Sequence, residues 1–485
     1  MDVLSLIPTH LSQRDRFRAS FVCRHWRRTF LHNAALWSQL YLSKGEVYIK
    51  TLLERAKGSA LDITTYFADP VGTIGLLSSY TKQIRFLDFA CNYWEDVQRF
   101  SEVNSGPLPL LTTLRIGALD EFDLEPSLPL FTNAVNLKKF IMHSDGSPFL
   151  GQFRFPNLTT FELWAAPDEG FCISQLLNFL EASPMLQRVD VKIIGDIVLE
   201  NIHRERGVVL PNVETFTLVM NDSHSGYEFA ADISCPSARD MSLMYETFID
   251  EGSLQEMEVS PALWNAIVRQ HTRSPVEEIT LEIQIAPDPI VTCSLTFQSP
   301  NATVIRMGFK VAASDGFDYE HMRYGVFSQA CRLIRDHPLL DNVRRLHINH
   351  SPNFVGPAWC SRVTNKVGLV FKAVGPLEEL TIDGCDLRLY LIPFADLPET
   401  YDVEPTAAFP PVKELKILHP MPVSREECMT AIVRLAKSQH ALGVPIERVV
   451  VRMAEIPEAM AEELRPWVGA VDCCEAPWKF PVGDP

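Results

Sequence analysis

Few residues in this chain combine a reactive type with a close spacing. His347-Ile348-Asn349-His350 sets two imidazoles three positions apart, which invites a zinc reading. Side chains alternate along a strand, however, so the pair falls on opposite faces and does not share one ion. Cys473-Cys474 lie near a tail ending at Pro485, with no prenylation box and no neighbouring charge that would favour a thiolate. The other cysteines of the eleven are scattered singly, without a CxxC, and are expected to be buried free thiols in a reducing compartment. GxSxG, a glycine-rich phosphate loop, HExxH and paired carboxylates on a cleft are all missing. The expectation is a protein that is not an enzyme and uses no metal or cofactor.

What remains is recognition. Lys and Arg number 44 against 61 Asp and Glu, a net charge of −17 that repels polyphosphate backbones and anionic membrane surfaces. No nucleic-acid or membrane partner is expected. There is no uninterrupted apolar run of membrane-spanning length, and Met1 is followed by Asp2 rather than by a basic and then apolar leader. These features point to the cytoplasm, the nucleus or both. A length of 485 residues exceeds one ordinary core, and 46% hydrophobic with 22% charged residues suits a chain that folds nearly end to end.

One pattern supplies the elements: an apolar residue, two variable ones, then apolar, variable, apolar. Copies start at Ile84, Leu111, Leu137, Leu158, Leu186, Val213, Ala238, Val276, Val343, Leu377, Val412 and Ile446. Most steps fall in or just above the range of leucine-rich repeats, while the step from Val276 to Val343 is about double. Either a weaker copy at Val304-x-x-Met307-x-Phe309 splits that step or residues 279–311 form an inserted hairpin. Proline commonly precedes a copy, as suits an extended entry to a strand. Between copies lie helix-compatible runs at 173–183, 324–337 and 425–443. Strand plus helix in each copy predicts an α/β fold, a curved array of parallel strands over residues 46–485.

Residues between and beside the apolar positions of such a strand face outward. The candidate substrate face comprises Arg115, Glu162, Trp164, Arg188, Asp190, Arg345, His347, Glu379 and Asp383, flanked by Lys139, His143, Lys192, Glu278, Glu282, Asn349, Glu414 and Lys416. Mixed charge around an exposed Trp164 suits a protein substrate.

Ahead of the array, residues 12–31 read as one amphipathic helix with Phe17, Phe21, Val22, Trp26 and Phe30 along one face. Ser12 and Asp15 make a capping-box-like start, and Asn33 is positioned to cap a short second helix carrying Leu36, Trp37 and Leu40. A module of this size must dock on something, either the array it caps or a partner.

The stretch LSQRDRFRASFVCRHWRRTFLHNAALWSQLYL resembles the F-box motif, with Val22, Cys23, Arg24 and Trp26 as its core and Leu36-Trp37 downstream. The resemblance spans roughly residues 1–45 and implies binding to a Skp-type adaptor of a cullin-based SCF ubiquitin ligase, with the remaining chain selecting an unknown protein substrate. It implies adaptor contacts at Leu4, Ile7, Leu11, Phe17, Phe21, Val22, Cys23, Trp26, Leu36, Trp37 and Leu40. F-boxes usually open with Leu-Pro-x-Glu, whereas this chain starts at Met1-Asp2-Val3-Leu4, and Pro8 interrupts the first helix. The proximal adaptor contact is therefore expected to be missing. The array lacks a ladder asparagine in most copies and so is similar to the divergent leucine-rich-repeat-like domains of fungal F-box proteins. A non-catalytic scaffold whose F-box only caps the array is the alternative.

Overall fold

The structure, a computed structural model, describes residues 11–42, 46–66, 75–91, 94–104, 106–118, 130–145, 150–167, 170–195, 197–198, 207–221, 228–249, 276–285, 290–299, 304–313, 319–336, 340–350, 360–384, 390–391, 409–419, 425–452 and 458–474. Leu4, Ile7 and Pro8 lie outside them. The chain divides into two compact units, residues 1–220 with 232–237, and residues 221–231 with 238–485. This is a different division from one at residue 45, since the N-terminal helices pack within the first unit.

All twelve residues that open a copy of the pattern are buried, none more than 5% exposed. The apolar triplet makes each copy a strand with one inward row, because alternate side chains share a face.

In the first unit these strands are β1 (Gln39–Leu42), β2 (Leu61–Tyr66), β3 (Ile84–Cys91), β4 (Thr113–Ala118), β5 (Lys139–Ser144), β6 (Thr160–Ala165), β7 (Arg188–Ile193) and β8 (Thr215–Met220). Each pairs in parallel with the next in that order. Leu87, Leu114, Phe140, Phe161, Val189 and Phe216 therefore stack as one buried row. Helices α3 (Glu46–Ala56), α4 (Trp94–Val103) and α5 (Ile173–Glu181) sit between strands in sequence. The last buries Leu176, Leu177, Phe179 and Leu180. Phe140 is the hub of this core, with Phe153, Phe155, Phe161 and Phe179 at ring distances of 4.9, 5.2, 5.9 and 5.9 Å.

Two of these strands escaped the sequence pattern. Trp37-x-x-Leu40-x-Leu42 is a copy in its own right and forms β1, and Leu61-x-Ile63 forms β2. The row of copies thus begins inside the N-terminal module rather than at Ile84.

The ladder polar groups also exist, one position ahead of the opening apolar residue. Asn136 Nδ2 donates to Pro109 O (2.8 Å), Asn157 to Val135 O (2.9 Å), Asn212 to Pro184 O (3.0 Å), and Ser237 Oγ to Pro211 O (2.6 Å). Each side chain satisfies a carbonyl on the loop before the preceding copy that no strand partner reaches. Their displacement from the usual ladder position hid them in the sequence.

The second unit holds β9 (Asp240–Ile249), β10 (Glu278–Ile285), β11 (Ile290–Gln298), β12 (Val304–Ala313), β13 (Arg345–His350), β14 (Leu377–Asp383), β15 (Val412–Leu418), β16 (Arg448–Arg452) and β17 (Ala470–Cys474). Strands β10, β11 and β12 form an antiparallel meander. Its outer strands pair in parallel, β12 with β9 and β10 with β13. Residues 304–313 are therefore both a sheet strand and one arm of a hairpin, and the two sequence alternatives describe one object. The register sets Met241 beside Ile305 and Leu243 beside Met307, so the inward pair is Ile305 and Met307, two residues ahead of the weak copy's frame. From β13 to β17 every pairing is parallel. The helix-compatible runs at 324–337 and 425–443 fold largely within α6 (Tyr319–Arg335) and α8 (Arg425–Ala441), and α7 (Cys360–Val374), which the sequence pattern did not single out, packs on α6.

Phe140→Ala is expected to destabilise the first unit by about 3–5 kcal/mol because four aromatic neighbours cannot close on the vacancy. Urea unfolding measures it, and a loss below about 1 kcal/mol contradicts the aromatic core.

Candidate protein-binding surfaces

Residues 12–31 form two short helices, not one. Helix α1 spans Gln13–Ala19 and α2 spans Arg24–His32, separated by Ser20 to Cys23. Ser12 Oγ accepts from Asp15 N (3.2 Å) and donates to its carboxylate (2.6 Å), as the capping pattern predicts. The break arises where Ser20 turns its hydroxyl onto Phe17 O (2.7 Å), competing with the helical ladder, and Cys23 takes up an extended backbone. Asn33 makes no side-chain cap, and Ala34–Trp37 is a 3₁₀ turn.

The residues expected to contact an adaptor differ in exposure around this break. Phe21 and Val22 are 70% and 68% exposed, with Cys23 exposed beside them. Trp26, Phe17 and Leu11 are half-buried. Leu36, Trp37 and Leu40 lie within the core at 3%, 1% and 1% exposure and pack the module into the first unit. Trp37 donates Nε1–H to Phe30 O (2.8 Å) and meets Phe17 edge-on at 5.1 Å. The Arg55 guanidinium of α3 covers both rings, at 4.5 Å from Phe17 and 4.8 Å from Trp37. Arg16, buried, reaches Leu36 O (2.5 Å) and Gln39 Oε1 (3.3 Å) and so ties α1 to β1. Burial holds the pKa values of both arginines below the ordinary value.

In the first unit every expected face residue stands outside the core: Arg115, Glu162, Trp164 and Asp190 half-buried, Arg188 exposed. Trp164 is less exposed than expected, because neighbouring strands carry long side chains on both flanks. The in-register pairing aligns them in rows. One row reads Phe86, Thr113, Lys139, Thr160, Arg188, and the next Asp88, Arg115, Ile141, Glu162, Asp190. Lys139–Glu162 at 2.8 Å and Arg188–Asp190 at 3.6 Å link the two rows, Arg115–Asp88 at 3.9 Å lies within one, and Arg85–Asp62 at 2.7 Å lies beside them. A shallow depression of about 400 Å³ opens between Tyr41, Asp62, Thr64, Phe86 and Thr113. Burial raises the Asp88 carboxyl above its usual range despite Arg115 and His143. His143, 3.5 Å from Arg115 and with its ring 6.3 Å from that of Trp164, is held below the ordinary histidine value by burial and then by Arg115, against the pull of Asp88 and Glu162.

The face of the second unit is a denser charge lattice. Arg345 pairs with Glu278 (3.0 Å), Lys416 with Glu379 (2.7 Å) and Glu414 (3.6 Å), and Arg448 with Glu414 (3.3 Å) and Asp472. Burial opposes ionisation of Glu379, yet hydrogen bonds from Lys416 and Thr381 and the nearby Arg345 hold it below the usual carboxylate range. Asp383 meets His419 Nδ1 at 3.0 Å. His419 adopts the left-handed conformation (φ 49°) that a non-glycine residue rarely holds, a partner the strand pattern could not reveal. His347 faces outward, with Nε2 buried and lacking a hydrogen-bond partner among the described residues. Met244 lies across Gly308, where a Cβ would fall on its sulfur, and so covers that part of the face. Among the described residues, no three His, Cys, Asp or Glu side chains could hold a metal ion, and no helix is long and apolar enough to cross a membrane.

Trp37→Ala is expected to cost about 3–5 kcal/mol in urea unfolding, whereas Phe21→Ser changes stability by less than about 0.5 kcal/mol. For His143 the folded pKa lies below the unfolded one. Its contribution is then complete above the unfolded value and lost as pH falls through the folded one. Thermal unfolding at about pH 7 and about pH 5 should show a smaller acid-induced drop for His143→Gln than for the native chain.

Comparison with known families comes to the same module. No curated protein matches the chain. The family model described as F-box-like matches residues 1–43, a segment that ends one residue past β1. The N-terminal module of this chain is therefore similar to an F-box, a similarity that supports an F-box protein.

Proposed function

We propose that this chain is a substrate-recognition subunit of an SCF-type ubiquitin ligase, in which the N-terminal module holds a Skp-type adaptor and a leucine-rich-repeat-like solenoid offers its strand face to a protein substrate. F-box domains generally bind Skp-type adaptors and act as non-catalytic links, so ubiquitin transfer falls to other subunits. The observation that carries this reading is the exposed Phe21-Val22-Cys23 turn inside the segment similar to an F-box. Large apolar side chains at such exposure are anchors that a partner covers. The adaptor contacts are Phe21, Val22, Cys23, Trp26 and the partly open Phe17 and Leu11. Leu36, Trp37 and Leu40 act indirectly, by fixing the module.

The solenoid reading rests on parallel strands paired in chain order, on the ladder of Asn136, Asn157, Asn212 and Ser237, and on outward rows rich in paired charge. A second reading, in which the module only caps the array, draws on the burial of Leu36, Trp37, Leu40 and Arg16 and on β1 belonging to both the F-box match and the strand array.

Co-purification with a Skp-type adaptor separates the two. The native chain is expected to retain the adaptor, and Phe21→Asp with Val22→Asp to lose it by at least about tenfold, since burying an unpaired carboxylate costs more than about 1.4 kcal/mol. Absence of adaptor from the native chain, with the fold intact by circular dichroism, favours the cap.

A further inference from the structure

Cations on the strand face of the first unit are not equally satisfied. Arg85 and Lys139 are closed by ion pairs of 2.7 and 2.8 Å. Arg115 is different: its contacts are Asp88 at 3.9 Å and His143 Nδ1 at 3.5 Å, the outer limits of ion pairing and hydrogen bonding. A guanidinium only donates, so Nδ1 accepts and the imidazole proton resides on Nε2. Trp164, ring to ring 6.3 Å from His143, adds an indole N–H that can also only donate. Three donors thus stand on the adjacent strands β4, β5 and β6.

Beside them the face is low. Ala90, Gly117 and His143 share a row, and a Cβ at Gly117 would meet nothing closer than 3.9 Å. The nearby carboxylates do not fill the donors: Glu162 is committed to Lys139, and Asp88 stays 3.9 Å from Arg115.

Resting on the reading of this strand face as the substrate side, we propose that Arg115, His143 and Trp164 form a notch for the side-chain carboxylate of an acidic residue in the substrate protein. An incoming carboxylate supplies the short charge-assisted pair that Arg115 lacks. A carboxylate suits the notch better than a phosphate, because Asp88 and Glu162 face it and repel a second negative charge. The charged groups around His143 are Arg115 of β4, Asp88 of β3, Glu162 of β6 and Lys139 of its own strand. Protonation of His143, which burial and Arg115 hold below the ordinary histidine value, adds a cation to the notch, so binding strengthens as pH falls toward that lowered value.

The test uses the full chain on an array of random peptides of about twelve residues. Each is displayed in three forms: with Asp or Glu, with the matching amide, and with phosphoserine at that position. The acidic form is expected to bind at least about tenfold better than the amide form. Arg115→Gln should abolish that preference and Trp164→Phe weaken it, while Arg345→Gln in the second unit leaves it intact. The acid-to-amide comparison on the native chain does not depend on any variant folding. Failure of the array to favour the acidic form, a preference that survives Arg115→Gln, or stronger binding of phosphoserine overturns the notch. Adaptor co-purification is unaffected by Arg115→Gln, so loss of the adaptor strikes the ligase reading and the array result strikes the notch.

Discussion

In-register parallel pairing is the constraint on which everything else depends. A strand of five or six residues buries only two or three side chains, too few to hold it alone, so each must stack on its neighbours. Stacking in register forces equivalent positions into rows. The inward rows of leucine, phenylalanine and valine become the core, and the outward rows become continuous surfaces. Any side chain placed between two apolar positions is delivered to that surface whatever its chemistry.

Rows carry an electrostatic consequence. Like charges on adjacent strands would lie about 4.8 Å apart and repel. Two such contacts occur among the described residues, Glu162 beside Asp190 and Glu379 beside Glu414, and cations of neighbouring rows offset them: Lys139 and Arg188 in the first case, Lys416 in the second. Exposed pairs of this kind add little stability individually. Among the four ion pairs named on the first unit's face, that of Arg115 is the longest, at 3.9 Å.

The N-terminal module shows how one segment serves two surfaces. Trp37 opens the triplet of β1 and also closes over Phe17 and Phe30 O, so a single indole joins the helices to the strands. With that side used, the turn between α1 and α2 leaves Phe21 and Val22 in solvent.

Read alone, the amino-acid sequence determined the strand triplets from Ile84 onward, the helices α5, α6 and α8, the Ser12 cap and the similarity to an F-box, because each rests on local periodicity or on residues close in the chain. It also placed Arg115, Glu162, Trp164, Arg188, Asp190, Arg345, His347, Glu379 and Asp383 off the core, since alternation is a local property. Tertiary structure decided which apolar residues of the module are covered. Phe21 and Trp37 are equally hydrophobic in sequence, and only the packing of α3 and β1 buries one and leaves the other exposed. Tertiary structure alone also paired β12 with β9, 64 residues earlier at Asp240 and Val304, brought His419 to Asp383, and left Arg115 without a close partner. These are distances between segments far apart in the chain, and no spacing along one segment encodes them.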